Sequence, residues 1–170
     1  MGSAIYYFRN PVAPEPNHPP RFGSAIVIWA DGKILLEHRS DNFKWGLVSG
    51  DIHSDETFAA CAVRKTLSET GIGISAKQLH EMKLYDDPSR IVSFVEGNVY
   101  RVVSMAYYVD LFAIPETVPN EKSIELRWVD PRELDQYEII LTHQDILEDF
   151  LKMKCGIEYK FSRTIWKQSN

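Results

Sequence analysis

Residues 50–72 read GDIHSDETFAACAVRKTLSETGI, and this stretch decides the fold. Ser54 is placed to cap a helix, and the acidic residues that follow it suit the positively charged start of a helix. Gly71 is placed to end the helix, because glycine readily adopts the left-handed conformation found at helix ends. The pattern predicts a loop followed by a helix over about residues 55–70.

Glycines, carboxylates and an arginine recur in this stretch at spacings that resemble the Nudix box. That family's pattern is Gly, five residues, Glu, seven residues, then Arg-Glu-aliphatic-x-Glu-Glu-x-Gly-aliphatic. The fixed positions that agree are Gly50, Glu56, Arg64, Glu69, Gly71 and Ile72. The three that differ are Lys65 in place of the first helix Glu, Thr66 in place of an aliphatic residue, and Ser68 in place of the first Glu of the pair.

The resemblance implies a fold and a set of structural roles. The fold is α/β (α+β), a Nudix-type α/β/α sandwich with a mixed sheet. Gly50 is expected to permit a tight loop onto the helix, and Glu56 and Arg64 to tie that loop down by a charge-assisted hydrogen bond. Gly71 is expected to end the helix with a positive φ.

The helix face that holds metal in the family is altered here. Residues at i, i+3 and i+4 share one face, so Lys65, Ser68 and Glu69 form a single patch. The family has three Glu at these positions, and the change disfavours a cation. The resemblance implies Mg²⁺ or Mn²⁺, weakly bound if at all, with Glu69 and Glu56 as ligands. Two interpretations of Lys65 stay open: its ammonium holds a diphosphate directly, or it is an ordinary helix surface residue.

Further catalytic candidates lie beyond the helix. Many members of the family recruit another Glu from a later loop as metal ligand or base, and Glu96, Glu121 and Glu125 are the candidates here. Each of them taken alone is more typical of an exposed surface carboxylate. The catalytic set implied by the resemblance is Glu69, Glu56, Glu96 and Glu121.

Substrate contacts have their own candidates. The segment Asp87-Pro88-Ser89-Arg90 resembles one found in members that act on ADP-ribose-like compounds, so Arg90 is a candidate for phosphate binding; a simple turn is the alternative. Arg39 and Lys65 are further cationic candidates. His53 in the box loop could bind metal or phosphate, although an exposed loop histidine is more common. Four aromatic residues could stack a base but are more often part of a core: Trp45, Tyr107, Tyr108 and Phe112.

Hydrophobic patterning divides the chain into three parts. Residues 1–20 form a proline-rich N-terminal arm, residues 21–154 the Nudix domain, and residues 155–170 a tail or short strand. Strands are predicted at 24–29, 33–39, 45–50, 78–86, 99–112 and 125–129, the first two joined by an Asp31-Gly32 hairpin. Helices are predicted at 131–137 and 142–154 besides the box helix, and alternation at 157–161 suggests a last strand.

Composition limits the class of protein. The chain has 170 residues, 44% of them hydrophobic and 25% charged, as expected of one soluble globular domain. A net charge of −5 gives no reason to expect nucleic acid or anionic membrane as a partner. The first residues lack a signal sequence and the longest apolar run spans only residues 25–30, so we expect a cytoplasmic protein. Cys61 and Cys155 fit neither a disulfide framework nor a zinc site.

The sequence therefore supports two main functional hypotheses. The first is a Nudix hydrolase that cleaves a nucleoside diphosphate-linked compound, ADP-ribose-like or a nucleotide, with weak or altered metal dependence. The second is an inactive protein of the same fold that binds such a small molecule as a sensor. A different chemistry on this fold is a third, weaker hypothesis. Dimerisation is common in the family, and a homodimer is possible here.

Overall fold

A computed structural model describes residues 3–162, and within them the chain forms nine strands and two α-helices. The strands are β1 (Ala4–Tyr7), β2 (Arg21–Ala30), β3 (Lys33–Arg39), β4 (Trp45–Gly46), β5 (Val48–Asp51), β6 (His80–Tyr85), β7 (Ile91–Phe94), β8 (Val99–Leu111) and β9 (Ser123–Val129). The helices are α1 (Phe58–Thr70) and α2 (Leu141–Cys155), and short 3₁₀ helices span Ala76–Gln78 and Pro131–Gln136.

The sheet is mixed, as the sequence predicts. β2 runs parallel to β8 over ten residue pairs and antiparallel to β3 and β5. β8 is long enough to pair with β6 and β7 as well, and β3 also pairs with β4 and β9. β2 therefore lies between β8 on one side and β5, which carries Gly50 at the start of the box, on the other.

Two hydrophobic cores cover the two faces of this sheet. Alternate residues of β2 point in opposite directions, so Ala25 and Val27 pack on one face while Ile26 and Ile28 pack on the other. The first face is covered by α2, including Phe150, and the second by α1, including Ala62. This arrangement confirms the predicted α/β/α sandwich.

The box helix begins later than the sequence predicts. Thr57, and not Ser54, is the N-cap, and its hydroxyl accepts a hydrogen bond from the backbone N–H of Ala60 at 3.0 Å. The prediction of Ser54 was wrong because residues 53–56 form a turn, closed by a hydrogen bond from the N–H of Glu56 to the carbonyl of His53. The end of the helix is as predicted: Gly71 has a φ of 76°, and its N–H donates to the carbonyl of Leu67.

The N-terminal segment packs on the domain. β1 pairs with β7, a strand that the sequence pattern did not indicate, and Phe8 just after it is buried. The proline-rich residues 10–20 contain no helix or strand and are held by Asn17, which exchanges hydrogen bonds with the backbone of Val99 and donates to the carbonyl of Gly97. This segment therefore lies against the turn between β7 and β8.

The later elements differ from the predictions in detail. The predicted helix at 131–137 is a 3₁₀ helix, started by Asp130 and Pro131. Residues 157–162 form a docked tail and no strand, with the N–H of Phe161 donating to Glu148; residues 163–170 of the predicted tail lie outside the described residues. Across residues 3–162, neither helix has the length and apolarity needed to cross a membrane.

Candidate functional site

A cavity of about 630 Å³ lies where β2, β3 and β5 meet α1 and the N-terminal strand. A volume of this size lies within the range of small-molecule sites, roughly 300–1,000 Å³. Five basic and four acidic side chains line it: Arg21, Arg39, Arg64, Lys65 and Lys122, against Glu37, Asp41, Asp51 and Glu69. The cavity is therefore slightly basic in a chain whose net charge is −5.

Lys65 and Glu69 form an ion pair in the wall of the cavity. They are four residues apart on α1, and the Nζ of Lys65 lies 2.6 Å from the Oε2 of Glu69. Both side chains are largely buried, with 10% and 4% of their surface exposed. The interpretation of Lys65 as an ordinary helix surface residue is wrong about its exposure, because the side chain is buried and its ammonium contacts the carboxylate that aligns with a family metal ligand.

Gly50 makes room for this lysine. It lies in β5, paired with Ser24 of β2, and does not have a positive φ. A Cβ at this position would lie 2.7 Å from the Cδ of Lys65 and 3.0 Å from its Nζ, with the Cε closer still. The tight-loop role expected for Gly50 is replaced by a packing role, because the stem of Lys65 crosses the place where a side chain would stand.

Glu37 is a second buried carboxyl beside Glu69. It lies on β3, and its Oε2 accepts a hydrogen bond of 2.5 Å from the hydroxyl of Ser123. Burial first and the charge of Glu69 second raise the pKa of Glu37, and Ser123 and Arg39 lower it; the net result is a pKa of about 7. The Oε1 of Glu69 is buried and has no hydrogen-bond partner among residues 3–162.

Glu37 is a site residue that the sequence patterns above do not identify. A signal was present, since the residue directly follows the apolar run Ile34-Leu35-Leu36, which is buried in β3. A carboxylate inside such a run is uncommon and usually has a specific partner.

The tie between the box loop and the helix is present as expected. The guanidinium of Arg64 donates to both carboxylate oxygens of Glu56, at 2.6 and 2.9 Å, and to the carbonyl of Asp51 at 3.0 Å. The backbone N–H of His53 also donates to Glu56 at 2.8 Å. The hydrogen bonds from Arg64, more than any other contact, lower the pKa of Glu56 to about 2. Both carboxylate oxygens of Glu56 are used in these hydrogen bonds, and the residue does not line the cavity.

These residues do not fit a divalent metal ion. Within the described part of the chain, no group of three or more Asp, Glu, His or Cys side chains is arranged to hold one. The ammonium of Lys65 occupies the side of Glu69 that a cation would need, and Glu56 is held by Arg64. Ser68, the third member of the altered helix face, is exposed and absent from the cavity wall.

Arg39 lies in the cavity as a candidate for binding an anion. Asp41 holds its guanidinium through two hydrogen bonds, of 3.0 and 2.8 Å, and Glu37 lies 3.8 Å away. The guanidinium also stands 6.0 Å from the ring centre of Tyr6 on β1. These contacts hold the guanidinium of Arg39 in one orientation in the cavity wall.

Arg90 has a different position from the one expected of a phosphate ligand. It is 1% exposed and lies outside the cavity wall, with its guanidinium paired to Asp145 at 2.7 Å and donating to the carbonyl of Thr142. It also stands 5.3 Å from the ring centres of both Phe8 and Tyr85. In this structure Arg90 joins the N-terminal segment to α2.

The remaining candidates are scattered. Glu96 lines a shallower recess of about 350 Å³ that adjoins the main cavity, whereas Glu121 lies outside both. Glu125 pairs with Arg127 at 2.8 Å, and His53 lines the cavity with its ring 3.9 Å from Glu56. None of the four aromatic candidates lines the cavity: Trp45, Tyr107 and Tyr108 pack with the cores, and Phe112 is fully exposed.

Comparisons with known proteins agree with the fold. The model of the NUDIX domain family matches residues 18–150. Among solved structures, the NUDIX domain of Shewanella oneidensis NrtR, complexed with ADP ribose, is 18% identical, with a TM-score of 0.66, coverage of 79% of this chain and 88% of that one. No curated protein matches the chain in a sequence comparison.

Two further structures are longer than the matched region. A bifunctional NMN adenylyltransferase/ADP ribose pyrophosphatase from Francisella tularensis, complexed with AMP and a manganese ion, is 22% identical (TM-score 0.67), with 82% of this chain and 43% of that chain covered. A MutT/nudix family protein from Enterococcus faecalis is 16% identical (TM-score 0.65), with 83% and 64% covered. The chain thus spans less than two thirds of either protein. The match over residues 18–150 shows that this chain belongs to the NUDIX domain family.

Proposed function

We propose that the protein binds a nucleoside diphosphate-linked compound, ADP-ribose-like or a nucleotide, in the cavity beside Lys65, and that it hydrolyses this compound weakly and with little dependence on magnesium. The observation that carries the proposal is the buried pair of Lys65 with Glu69 at 2.6 Å. An ammonium at this position supplies positive charge to an anionic ligand while it disfavours a divalent cation.

The charge of the cavity supports an anionic ligand. Its five basic side chains outnumber its four acidic ones, and one of the acids, Glu37, has a pKa raised to about 7. Arg39 is held in place by Asp41, so its guanidinium is directed before a ligand arrives. Ligand-bound relatives of the same fold carry ADP ribose or AMP, which is the chemical class that we propose here.

Glu37 supports the hydrolysis in this proposal, which proceeds without a metal cluster. A general base works best when its pKa lies near the operating pH, and burial places the pKa of Glu37 at about 7. In this reaction Glu37 accepts a proton from water, the water oxygen bonds to phosphorus, and the phosphorus–oxygen bond to the leaving phosphate breaks. Lys65 and Arg39 offset the negative charge of the diphosphate. Without metal ions, we expect a rate well below the 1–1000 per second or so of ordinary enzymes.

The test is a panel of ADP-ribose, nucleoside diphosphates and nucleoside triphosphates, each with magnesium or with a chelator. Binding is followed by thermal shift and calorimetry, and cleavage by chromatography of the products. A ligand at 100 times its Kd stabilises the folded state by about 2.7 kcal/mol, which raises Tm by roughly 5–10 °C in a chain of this size. We expect such a shift with the chelator present, and release of product at well under one per second.

Two variants separate the site from the rest of the surface. Arg39→Met removes a directed cation from the cavity and is expected to raise Kd about tenfold, because a hydrogen bond to a charged group contributes about 1.5 kcal/mol or more. Arg132→Met removes an exposed cation that does not line the cavity, and it should leave Kd unchanged. Magnesium-dependent cleavage at rates typical of enzymes would overturn the proposal, as would the absence of binding by every compound in the panel.

A further inference from the structure

His143 is a buried histidine that the proposed reaction does not use. It is the third residue of α2, it is 6% exposed, and it lines the cavity. Within residues 3–162 its ring makes one hydrogen bond, in which Nδ1 accepts from the backbone N–H of Leu47 at 2.9 Å. The other ring nitrogen, Nε2, has no partner in the described part of the chain. It is not one of the unpaired side-chain atoms that are closed off from solvent, so it opens onto the cavity.

The proton of this ring is on Nε2. A backbone N–H can only donate, so Nδ1, which accepts from Leu47, carries no proton. A neutral imidazole has its single proton on the other nitrogen. Burial first, and the charges of Arg39 and Arg90 after it, lower the pKa of His143 well below its ordinary value, so the ring stays neutral. His143 therefore presents one N–H donor, and no acceptor, to a ligand in the cavity.

The position of the ring is fixed by the backbone around it. The N–H of Trp45 donates to the carbonyl of Glu138, and the N–H of Ile140 donates to the carbonyl of Trp45, both at 2.9 Å. These bonds fasten the start of α2 to β4. Gly46 of the same strand leaves room for the imidazole, because a Cβ there would lie 2.9 Å from Nδ1. The donor thus has a set direction before a ligand arrives, which lowers the cost of ordering it on binding.

We propose that the Nε2–H of His143 donates a hydrogen bond to a phosphate oxygen of the bound nucleoside diphosphate-linked compound, on the same side of the cavity as the guanidinium of Arg39. The inference rests on the proposed function and adds a ligand contact from α2. Both side chains line the cavity, and the charge of Arg39 acts on the ring of His143. A phosphate oxygen suits both, because it accepts hydrogen bonds and carries negative charge. A ligand group that can only donate would leave the Nε2–H unpaired.

The first test is nitrogen-15 NMR of the histidine side chains in the natural protein, without ligand and with ADP-ribose, or with ATP if only the triphosphate binds. The signals of His143 are assigned by correlation with its own backbone, so this test needs no variant. Without ligand, we expect Nδ1 to have the chemical shift of an unprotonated nitrogen and Nε2 that of a protonated one. With ligand, the Nε2–H signal should move downfield, as for other charge-assisted hydrogen bonds. A role confined to holding Leu47 would not move it.

Two substitutions separate the ligand contact from the structural one. Asn places its amide oxygen near the position of Nδ1, so His143→Asn keeps an acceptor for Leu47 and loses the donor at Nε2. Gln places its amide nitrogen near the position of Nε2, so His143→Gln does the reverse. His143→Asn should raise Kd about tenfold with a Tm close to that of the natural protein, because it loses one hydrogen bond to a charged group. His143→Gln should lower Tm by roughly 2–4 °C and leave Kd nearly unchanged.

The matched control is His80→Asn. His80 is exposed and lines neither the cavity nor the recess beside it, so this variant should leave Kd unchanged. The inference is overturned if Nδ1 carries the proton, if the ligand binds without moving the Nε2–H signal, or if folded His143→Asn binds as tightly as the natural protein. The last two results leave the proposed function standing. If no nucleotide of the panel binds, the proposed function fails, and this contact fails with it.

Discussion

Arg90→Met is expected to destabilise the fold by about 3 kcal/mol without acting directly on the cavity. Breaking a buried ion pair by removing one partner typically costs roughly 3–5 kcal/mol. The lower end applies here, because Arg90 is 1% exposed whereas Asp145 retains 21% exposure and can recover hydration. The hydrogen bond to the carbonyl of Thr142 and the contacts with Phe8 and Tyr85 are lost as well, although the methionine stem retains part of the packing.

Urea unfolding measures this cost, and thermal unfolding should show a fall in Tm of roughly 6–12 °C. The matched control is Arg132→Met, which breaks a pair with Asp130 in which the arginine is 87% exposed, and which should leave the urea midpoint nearly unchanged. Ligand affinity, measured below the unfolding transition, should be nearly the same in both variants. A loss of affinity in Arg90→Met with unchanged stability would refute the structural role and restore the interpretation of Arg90 as a phosphate ligand.

Three further predictions concern the box and its surroundings. Between pH 4.5, the ordinary pKa of a Glu, and about pH 7, the folded chain holds a proton on Glu37 that the unfolded chain loses. The free energy of unfolding should therefore fall by up to about 3 kcal/mol as pH rises through this range. Urea unfolding of Glu37→Gln should lack this dependence on pH. The pKa of Glu56 is lowered to about 2, so the contribution of its charge to folding stability is complete above pH 4.5 and is lost as pH falls towards 2. The difference in urea midpoint between the natural protein and Glu56→Gln should therefore shrink over that interval. A constant difference would contradict the tie to Arg64. Gly71→Ala forces a non-glycine residue to a φ of 76° and should cost about 1–2 kcal/mol in urea unfolding, whereas no cost would mean that the helix ends differently.

The box could be predicted from sequence because its interactions are local. The pair of Glu56 with Arg64 and the left-handed Gly71 are specified by spacing along a loop and one helix, and both are present. The predicted start of the helix was wrong by a few residues. Ser54 and Thr57 are both suitable N-cap residues, and the choice between them depends on the turn at 53–56.

The contacts between distant segments could not be predicted in the same way. Arg90 is buried only because Phe8 and Asp145, far away in sequence, meet around it. Lys65 likewise gains its role from Gly50 on β5 and from the proximity of Glu37 on β3 to Glu69, which depend on the packing of α1 on the sheet. The sequence shows that Lys65 replaces a metal-binding Glu of the motif, whereas the packing of its side chain against Gly50 is visible only in the structure.

The most direct test of the central claim is anomalous diffraction from crystals of the natural protein soaked with Mn²⁺ and ADP-ribose. We predict that the Nζ of Lys65 lies within about 3 Å of the Glu69 carboxylate, as in other charge-assisted hydrogen bonds, and that no manganese peak appears between Glu37 and Glu69. A manganese ion coordinated by Glu69, with Lys65 displaced from it, would contradict the account.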